Sequence, residues 1–183
     1  RGVLVVSDTV KPSSAAAVAA LKALGLRPML LTGDHETTAR AVADEVGIDD
    51  VIAGVLPDQK ADVIARLQAE GRVVAMVGDG VNDAPALAEA TVGVAMGAAG
   101  TDVALETADV VLMADDLEKL VYALRLARRN QSVVRQNLAL SAVVIGTLVV
   151  GAVAGVFSLP VAVLGHEISE FIVIGSGLRM LKA

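Results

Sequence analysis

The sequence predicts an α/β domain built on a mostly parallel sheet, followed by an all-α hairpin of two membrane-spanning helices. Three observations lead there. Short apolar runs alternate with segments of helical apolar spacing over residues 1–118, the pattern of a parallel sheet covered on both faces. Charge is partitioned along the chain: Arg1–Glu118 carries 8 basic and 19 acidic residues, Lys119–Arg135 carries 5 basic and no acidic ones, and the positions after Arg135 are neutral overall. Finally, Leu138–Gly165 holds no charged residue over 28 positions.

Taken in order, Val3–Ser7 is the first strand-like run. Ser13–Leu24 has helical spacing and stops at Gly25, Pro28–Thr32 is a second buried strand, and Ala39–Val46 is a helix that stops at Gly47. Pro57 opens a helix that continues through Ala69 and stops at Gly71, with Pro in the first turn and Gly just past the last. Arg72–Val77, Val92–Ala95 and Val110–Met113 supply further strands, with Asn82–Ala90 a helix between the first two. In a sheet of this kind ligands belong beyond the carboxyl ends of the strands.

The charge-free run would be about 42 Å long as one helix, more than the roughly 30 Å of a hydrocarbon core. It divides near Gly155, Phe157, Ser158 and Pro160 into helices over Gln136–Val156 and Pro160–Leu181. Lys119, Arg125, Arg128, Arg129 and Arg135 precede the first helix, Arg179 and Lys182 close the second, and the turn between them is uncharged. By the positive-inside rule both ends of the hairpin, and the acidic domain with them, are cytoplasmic. The alternative is a helix pair buried in a large soluble core, which rarely needs so long a charge-free run between cations. The expected organisation is a domain over 1–118, a basic juxtamembrane helix over 119–135, and transmembrane helices over 136–156 and 160–181. Such a chain is an integral membrane protein, expected in the plasma membrane, with the lipid bilayer as a partner.

Composition narrows the function classes. A chain that is 55% hydrophobic is not a disordered one. One Tyr, two Phe, no Trp and a net charge of −6 leave neither a base-stacking platform nor a basic arm, so no nucleic-acid partner is expected. Without Cys there is no disulfide framework and no thiol nucleophile. Residue 1 is Arg, no signal peptide precedes the first apolar run, and the chain reads as a piece of a longer protein.

Two predicted strand ends carry the chemistry. Thr32-Gly33-Asp34 follows Met29-Leu30-Leu31, and Gly78-Asp79-Gly80-Val81-Asn82-Asp83 follows Val74-Ala75-Met76-Val77. Thr32 and the Gly33 amide suit phosphate oxygens, Asp79 offers an oxygen ligand to Mg²⁺, and Lys60 can neutralise a transferring phosphoryl group. Taken alone, the first motif reads better as a turn with a helix cap than as a phosphate site, and the alternative for the second, an acidic loop, is weakened because two carboxylates and an amide crowd onto one strand end. With Pro57-Asp58-Gln59-Lys60 between them, the constellation is far more specific than any one member.

In this combination, continued by Ala84-Pro85-Ala86-Leu87, Val94-Ala95-Met96-Gly97 and Asp109-Val110-Val111-Leu112, the sequence resembles the P-type ATPase family over nearly its whole length. The resemblance implies the carboxyl half of a phosphorylation domain of haloacid-dehalogenase-like, Rossmann-like fold, followed by the last two membrane helices. It implies Thr32, Gly33 and Lys60 as phosphate binders, Asp34 as part of the same catalytic group, Asp79 as the Mg²⁺ ligand, and Asn82 and Asp83 as residues that order the site. It also implies ATP, bound mainly by a domain outside this sequence. The family's phosphorylated Asp stands in a D-K-T-G-T motif, which this sequence does not contain. Asp8 in Ser7-Asp8-Thr9 is not a substitute, because no Gly follows in that pattern. The nucleophile is therefore expected from the amino-terminal portion of the same protein.

The last helix is expected to choose the cargo. His166, Glu167 and Glu170 lie at membrane depth, where ionisable groups point to function by default. His166 and Glu170 are four apart and share a helix face, while Glu167 projects about 100° away. An intramembrane pair that only fixes helix packing is the alternative. His166-Glu167-Ile168-Ser169-Glu170 resembles the final helix of heavy-metal-transporting, cobalt- and zinc-type members, which commonly show H-E-G-G/S-T. Ile168 and Glu170 depart from that pattern. Imidazole and carboxylate suit Co²⁺, Zn²⁺, Ni²⁺ or Fe²⁺ rather than Cu⁺. Three function classes follow: an ATP-driven heavy-metal exporter, a soluble phosphatase of the same fold, and a catalytically silent membrane module.

Overall fold

The computed structural model describes residues 10–79, 82–97 and 106–179. The strand expected at Val3–Ser7, Asp8, Gly80, Val81 and Lys182 lie outside the described residues. The chain forms two compact units, Arg1–Val121 and Tyr122–Ala183.

In the first unit the order is α1 (Pro12–Ala23), β1 (Met29–Leu31), α2 (Glu36–Val46), β2 (Asp50–Ile52), α3 (Pro57–Ala69), β3 (Ala75–Gly78), α4 (Ala84–Glu89), β4 (Val92–Met96) and β5 (Val110–Leu112). Every strand pair among the described residues is parallel. β1 pairs with β2, Met29 opposite Asp50, and β4 lies between β3 and β5, with Ala75 opposite Val92 and Val94 opposite Val110. Helices α1, α2 and α3 end where the sequence predicts, ahead of Gly25, Gly47 and Gly71. Helix α4 starts at Ala84, two residues later than the apolar pattern suggests.

Strand β2 is absent from the sequence-based expectation. It has three residues and begins on a charged one, so it shows neither an apolar run nor an alternation. An ion pair flanks its pairing with β1: Arg27, just ahead of β1, donates from Nε to Asp50 Oδ2 at 2.5 Å and from Nη2 to Oδ1 at 2.6 Å. The core of this unit is Ile64, Met76, Ala86, Leu87 and Ala95, with Leu31 and Val111 packed against it. Side chains from β1, α3, β3, α4, β4 and β5 thus share one apolar cluster, which fixes the strand ends that hold the motifs.

The second unit contains most of α5 (Leu117–Val153, 37 residues) and all of α6 (Leu159–Leu178, 20 residues). The predicted juxtamembrane and first transmembrane helices form this one uninterrupted helix, about 55 Å long. Both α5 and α6 are long and apolar enough to cross a bilayer. Helix α5 ends three residues before the expected Val156. Gly155 takes φ +72°, and the Val156 and Gly155 amides donate back to the carbonyls of Gly151 (2.8 Å) and Ala152 (3.1 Å). This closure satisfies the last carbonyls and requires a left-handed residue, which glycine supplies without steric cost.

Candidate functional site

The loop after β3 and the start of α3 meet at the strand ends. Lys60, in the first turn of α3, donates from Nζ to Asp83 Oδ1 at 2.6 Å. Both side chains are largely buried, at 15% and 13% exposure, so neither charge is left to water. Gly78 makes this arrangement possible. A Cβ at that position would stand 2.5 Å from Asp83 Oδ2 and 2.9 Å from Asp83 Cβ, so the carboxylate lies directly over the bare backbone. Asp79 follows immediately, exposed, and the Asn82 amide donates to its Oδ1 at 3.4 Å. One strand end thus gathers an ammonium, two carboxylates and the backbone amide of Asn82.

Thr32, Gly33 and Asp34 form a separate turn at the end of β1. The Thr32 hydroxyl donates to Asp34 Oδ2 at 3.0 Å and accepts from the Asp34 amide at 3.1 Å. The Thr32 amide donates to Ile52 O, while the Gly54 and Val55 amides donate to Asp34 O and Thr32 O, so the loop after β2 clasps this turn. Among the described residues no hydrogen bond joins Thr32, Gly33 or Asp34 to Lys60, Asn82 or Asp83. The Thr32 hydroxyl, expected to meet phosphate, is engaged with Asp34 here. Beside Asp79 a cleft of about 340 Å³ opens, lined also by Lys11, Ser13, Ser14, Met96 and Asp115.

In the second unit the structure places His166 Nε2 3.4 Å from Glu170 Oε1. The other ring nitrogen, Nδ1, is buried without a hydrogen-bond partner. Ser169, itself buried, donates from Oγ to the His166 carbonyl at 2.7 Å and so leaves the imidazole alone. Glu167 does not join the pair. Among the described residues no group of three His, Cys, Asp or Glu is placed to hold a metal ion.

Comparison with known proteins draws both units together. The profile of haloacid dehalogenase-like hydrolases matches residues 1–91. The zinc-transporting ATPase of Bacillus subtilis (strain 168) is 49% identical over 181 residues, which is 99% of this chain and 28% of that protein. The Mycobacterium tuberculosis (strain H37Rv) protein named "Probable cation-transporting ATPase G" is 48% identical over 178 residues, 97% of this chain and 23% of its own. The crystal structure of a zinc-transporting PIB-type ATPase in the E2.Pi state superposes with a TM-score of 0.88 at 40% identity, covering 95% of this chain and 28% of that one. The chain belongs to the P-type ATPase family. It spans about a quarter of the length of these relatives, and its first unit has the haloacid-dehalogenase-like fold.

The sequence motifs did not reveal every group at this P-type ATPase strand end. Lys11 donates from Nζ to the Asp115 carbonyl at 2.6 Å and also pairs with its carboxylate, across 104 positions of sequence. Gly97, at φ +66°, lets Asp115 approach, since a Cβ there would lie 3.2 Å from Asp115 Cβ. Lys11 and Asp115 both line the cleft beside Asp79. The signal that could have found them is Lys-Pro-Ser-Ser opening α1 and Asp115-Asp116 opening α5, two polar punctuations without an apolar explanation.

Proposed function

We propose that this chain forms the phosphate-handling strand ends and the last membrane hairpin of an ATP-driven exporter of a divalent transition metal, zinc or cobalt foremost. The observation that carries the reading is the buried Lys60–Asp83 pair laid over Gly78 beside Asp79, in a chain aligned along 95% or more of its length with cation-transporting ATPases. The membrane is the plasma membrane, with the acidic unit and both hairpin ends in the cytoplasm. The charge partition supports that orientation.

The residues fit a Mg²⁺ ion and a phosphoryl group. Asp79 and Asp83 are hard oxygen donors on one bare glycine turn, and Mg²⁺ is held by one or two carboxylates plus phosphate oxygens. When bound, Mg²⁺ supplies charge neutralisation on the phosphoryl oxygens. In the cycle we propose, a carboxylate of the same protein outside this sequence attacks the γ-phosphorus of ATP, ADP leaves, and water later hydrolyses the acyl phosphate. Lys60 presents its ammonium to the transferring oxygens, and Asp83 holds that ammonium in place until they arrive. Thr32 exchanges its bond to Asp34 for one to phosphate, with the Gly33 amide beside it. Strands β1 and β3 each leave one edge unpaired among the described residues, and the strand bearing the nucleophile fits there. In the hairpin, His166 and Glu170 present an imidazole nitrogen and a carboxylate to the cargo, and the unpartnered Nδ1 supports a ligand role. Glu167 serves a neighbouring helix or completes the set in another state.

Phosphoenzyme formation in the complete transporter tests both halves. Asp79→Asn abolishes Mg²⁺-dependent phosphorylation by ATP whatever the metal supplied. His166→Ala with Glu170→Ala leaves phosphorylation by inorganic phosphate intact but removes its metal-stimulated formation from ATP. Metal stimulation that survives the double substitution sinks the ion site.

A further inference from the structure

At the end of the hairpin opposite the Gly155 turn, α5 and α6 enclose an open groove of about 440 Å³. Its composition is graded along the helix axes. Gln136 and Asn137 on α5 stand opposite Ser176 and Arg179 at the end of α6, whereas Leu140 and Ile172, about one turn deeper on each helix, are apolar. The Asn137 amide nitrogen donates to Val173 O at 3.5 Å, which ties the two walls together. Arg179 is already oriented at the mouth: Nη2 donates to Ser176 Oγ at 2.7 Å and Nε to Ser176 O at 3.2 Å. A guanidinium has five N–H donors, so most of its fork remains for an anion.

We propose that this groove is a binding site for an anionic phospholipid of the cytoplasmic leaflet, its phosphate on Arg179 and its glycerol and first acyl carbons against Leu140 and Ile172. The proposal rests on the reading of α5 and α6 as a hairpin with cytoplasmic ends. A polar rim and an apolar depth match the two halves of a phospholipid at the depth where its headgroup sits. A planar guanidinium held by a serine matches phosphate in geometry as well as in charge. The surroundings select a net negative headgroup. Arg125, Arg128, Arg129 and Arg135 are exposed on the stretch of α5 that leads into the groove, within an arc of about 120°. No carboxylate among the described residues pairs with them or with Arg179. Basic pockets between helices at the cytoplasmic face attract anionic headgroups in this way.

The test uses the complete transporter, delipidated in detergent and offered phosphatidylglycerol or phosphatidylcholine, with bound lipid counted by native mass spectrometry. Phosphatidylglycerol binds in preference. Arg179→Gln weakens that binding about fivefold, the loss expected for one surface cation, and Arg179→Lys retains most of it. Equal binding of the two lipids, or unchanged phosphatidylglycerol binding in Arg179→Gln, overturns the proposal. So does a cross-link from a cysteine introduced at Gly175 to an earlier membrane helix of the transporter, because protein then fills the groove. Labelling a cysteine introduced at Gln136 with an impermeant reagent reports orientation separately. Labelling from the outside alone overturns the cytoplasmic-leaflet assignment while leaving lipid binding to the groove as a distinct result.

Discussion

The two units treat their ionisable groups in opposite ways. At the strand ends of the first, Lys60 and Asp83 meet at 2.6 Å with about 15% of each side chain exposed, and the carboxylate is bedded on Gly78. In the hairpin, His166 and Glu170 stand 3.4 Å apart, 46% and 58% exposed, and a buried imidazole nitrogen has no partner. The first constellation is closed within the chain. The second is open, and among the described residues no third His, Cys, Asp or Glu is placed with the pair to hold a metal. A site that must hold phosphate in one geometry benefits from groups fixed before it arrives. On the proposed reading, a site that takes up and releases a cation benefits from ligands shared among helices that can move apart, and His166 and Glu170 would then be one helix's share of such a set.

The sharpest way to break this contrast is to remove one half of the closed pair. Lys60→Met leaves the Asp83 carboxylate buried without its cation, which costs about 3–5 kcal/mol. Hydrogen exchange at the β3 and β4 amides accelerates by two orders of magnitude or more. Adding Asp83→Asn to Lys60→Met returns most of that protection, because the uncompensated charge is gone, but it does not return phosphoenzyme formation. If the double variant regains activity as well, the pair serves folding alone and the contrast between the two units fails.

A smaller effect tests the bed on which the pair rests. Gly78→Ala places a Cβ 2.5 Å from Asp83 Oδ2, and neither the carboxylate nor the strand can withdraw without disturbing Lys60. Overpacking of this kind costs about 1–3 kcal/mol. The denaturation midpoint of the chain in detergent falls accordingly. Gly146→Ala on α5, where a Cβ meets nothing within 4 Å, leaves the midpoint unchanged or raises it. Equal responses at the two positions would remove Gly78 from the argument.

These features differ in how far they can be read from the sequence. Helix ends at Gly25, Gly47 and Gly71, the proline start of α3 at Pro57 and the break near Gly155 are local, since each follows from backbone preferences of residues within one turn. The strand-end positions of Thr32 and Asp79 are equally legible, because both follow short apolar runs. What the sequence conceals is pairing across distance. Strand β2 is defined by its pairing with β1, 21 positions earlier at Met29–Asp50, and carries no periodicity of its own. Lys60 meeting Asp83 and Lys11 meeting Asp115 are likewise products of the sheet order. Residue type and spacing single out Lys60 as a candidate to neutralise phosphate, but they do not show that its charge is already matched by Asp83.

The Arg27–Asp50 pair gives the smallest effect and separates two kinds of ion pair within one unit. Arg27 is exposed, and its two hydrogen bonds to Asp50 hold that carboxyl below the usual carboxylate range, with partial desolvation opposing and the Arg27 charge adding to the shift. A carboxyl whose folded pKa lies below its unfolded value of about 3.9 contributes stability that is present above that value. The contribution is lost as pH falls through the folded pKa. The gap in denaturation midpoint between the parent chain and Asp50→Asn is therefore open at pH 7 and begins to close as pH drops below about 4. High salt narrows it at neutral pH, because solvent screens an exposed pair. The Lys60–Asp83 pair, shielded from that solvent, responds to salt far less. A gap at Asp50 that stays constant through the acid range, or a salt response equal at both pairs, would show that burial does not distinguish the Arg27–Asp50 pair from the Lys60–Asp83 pair.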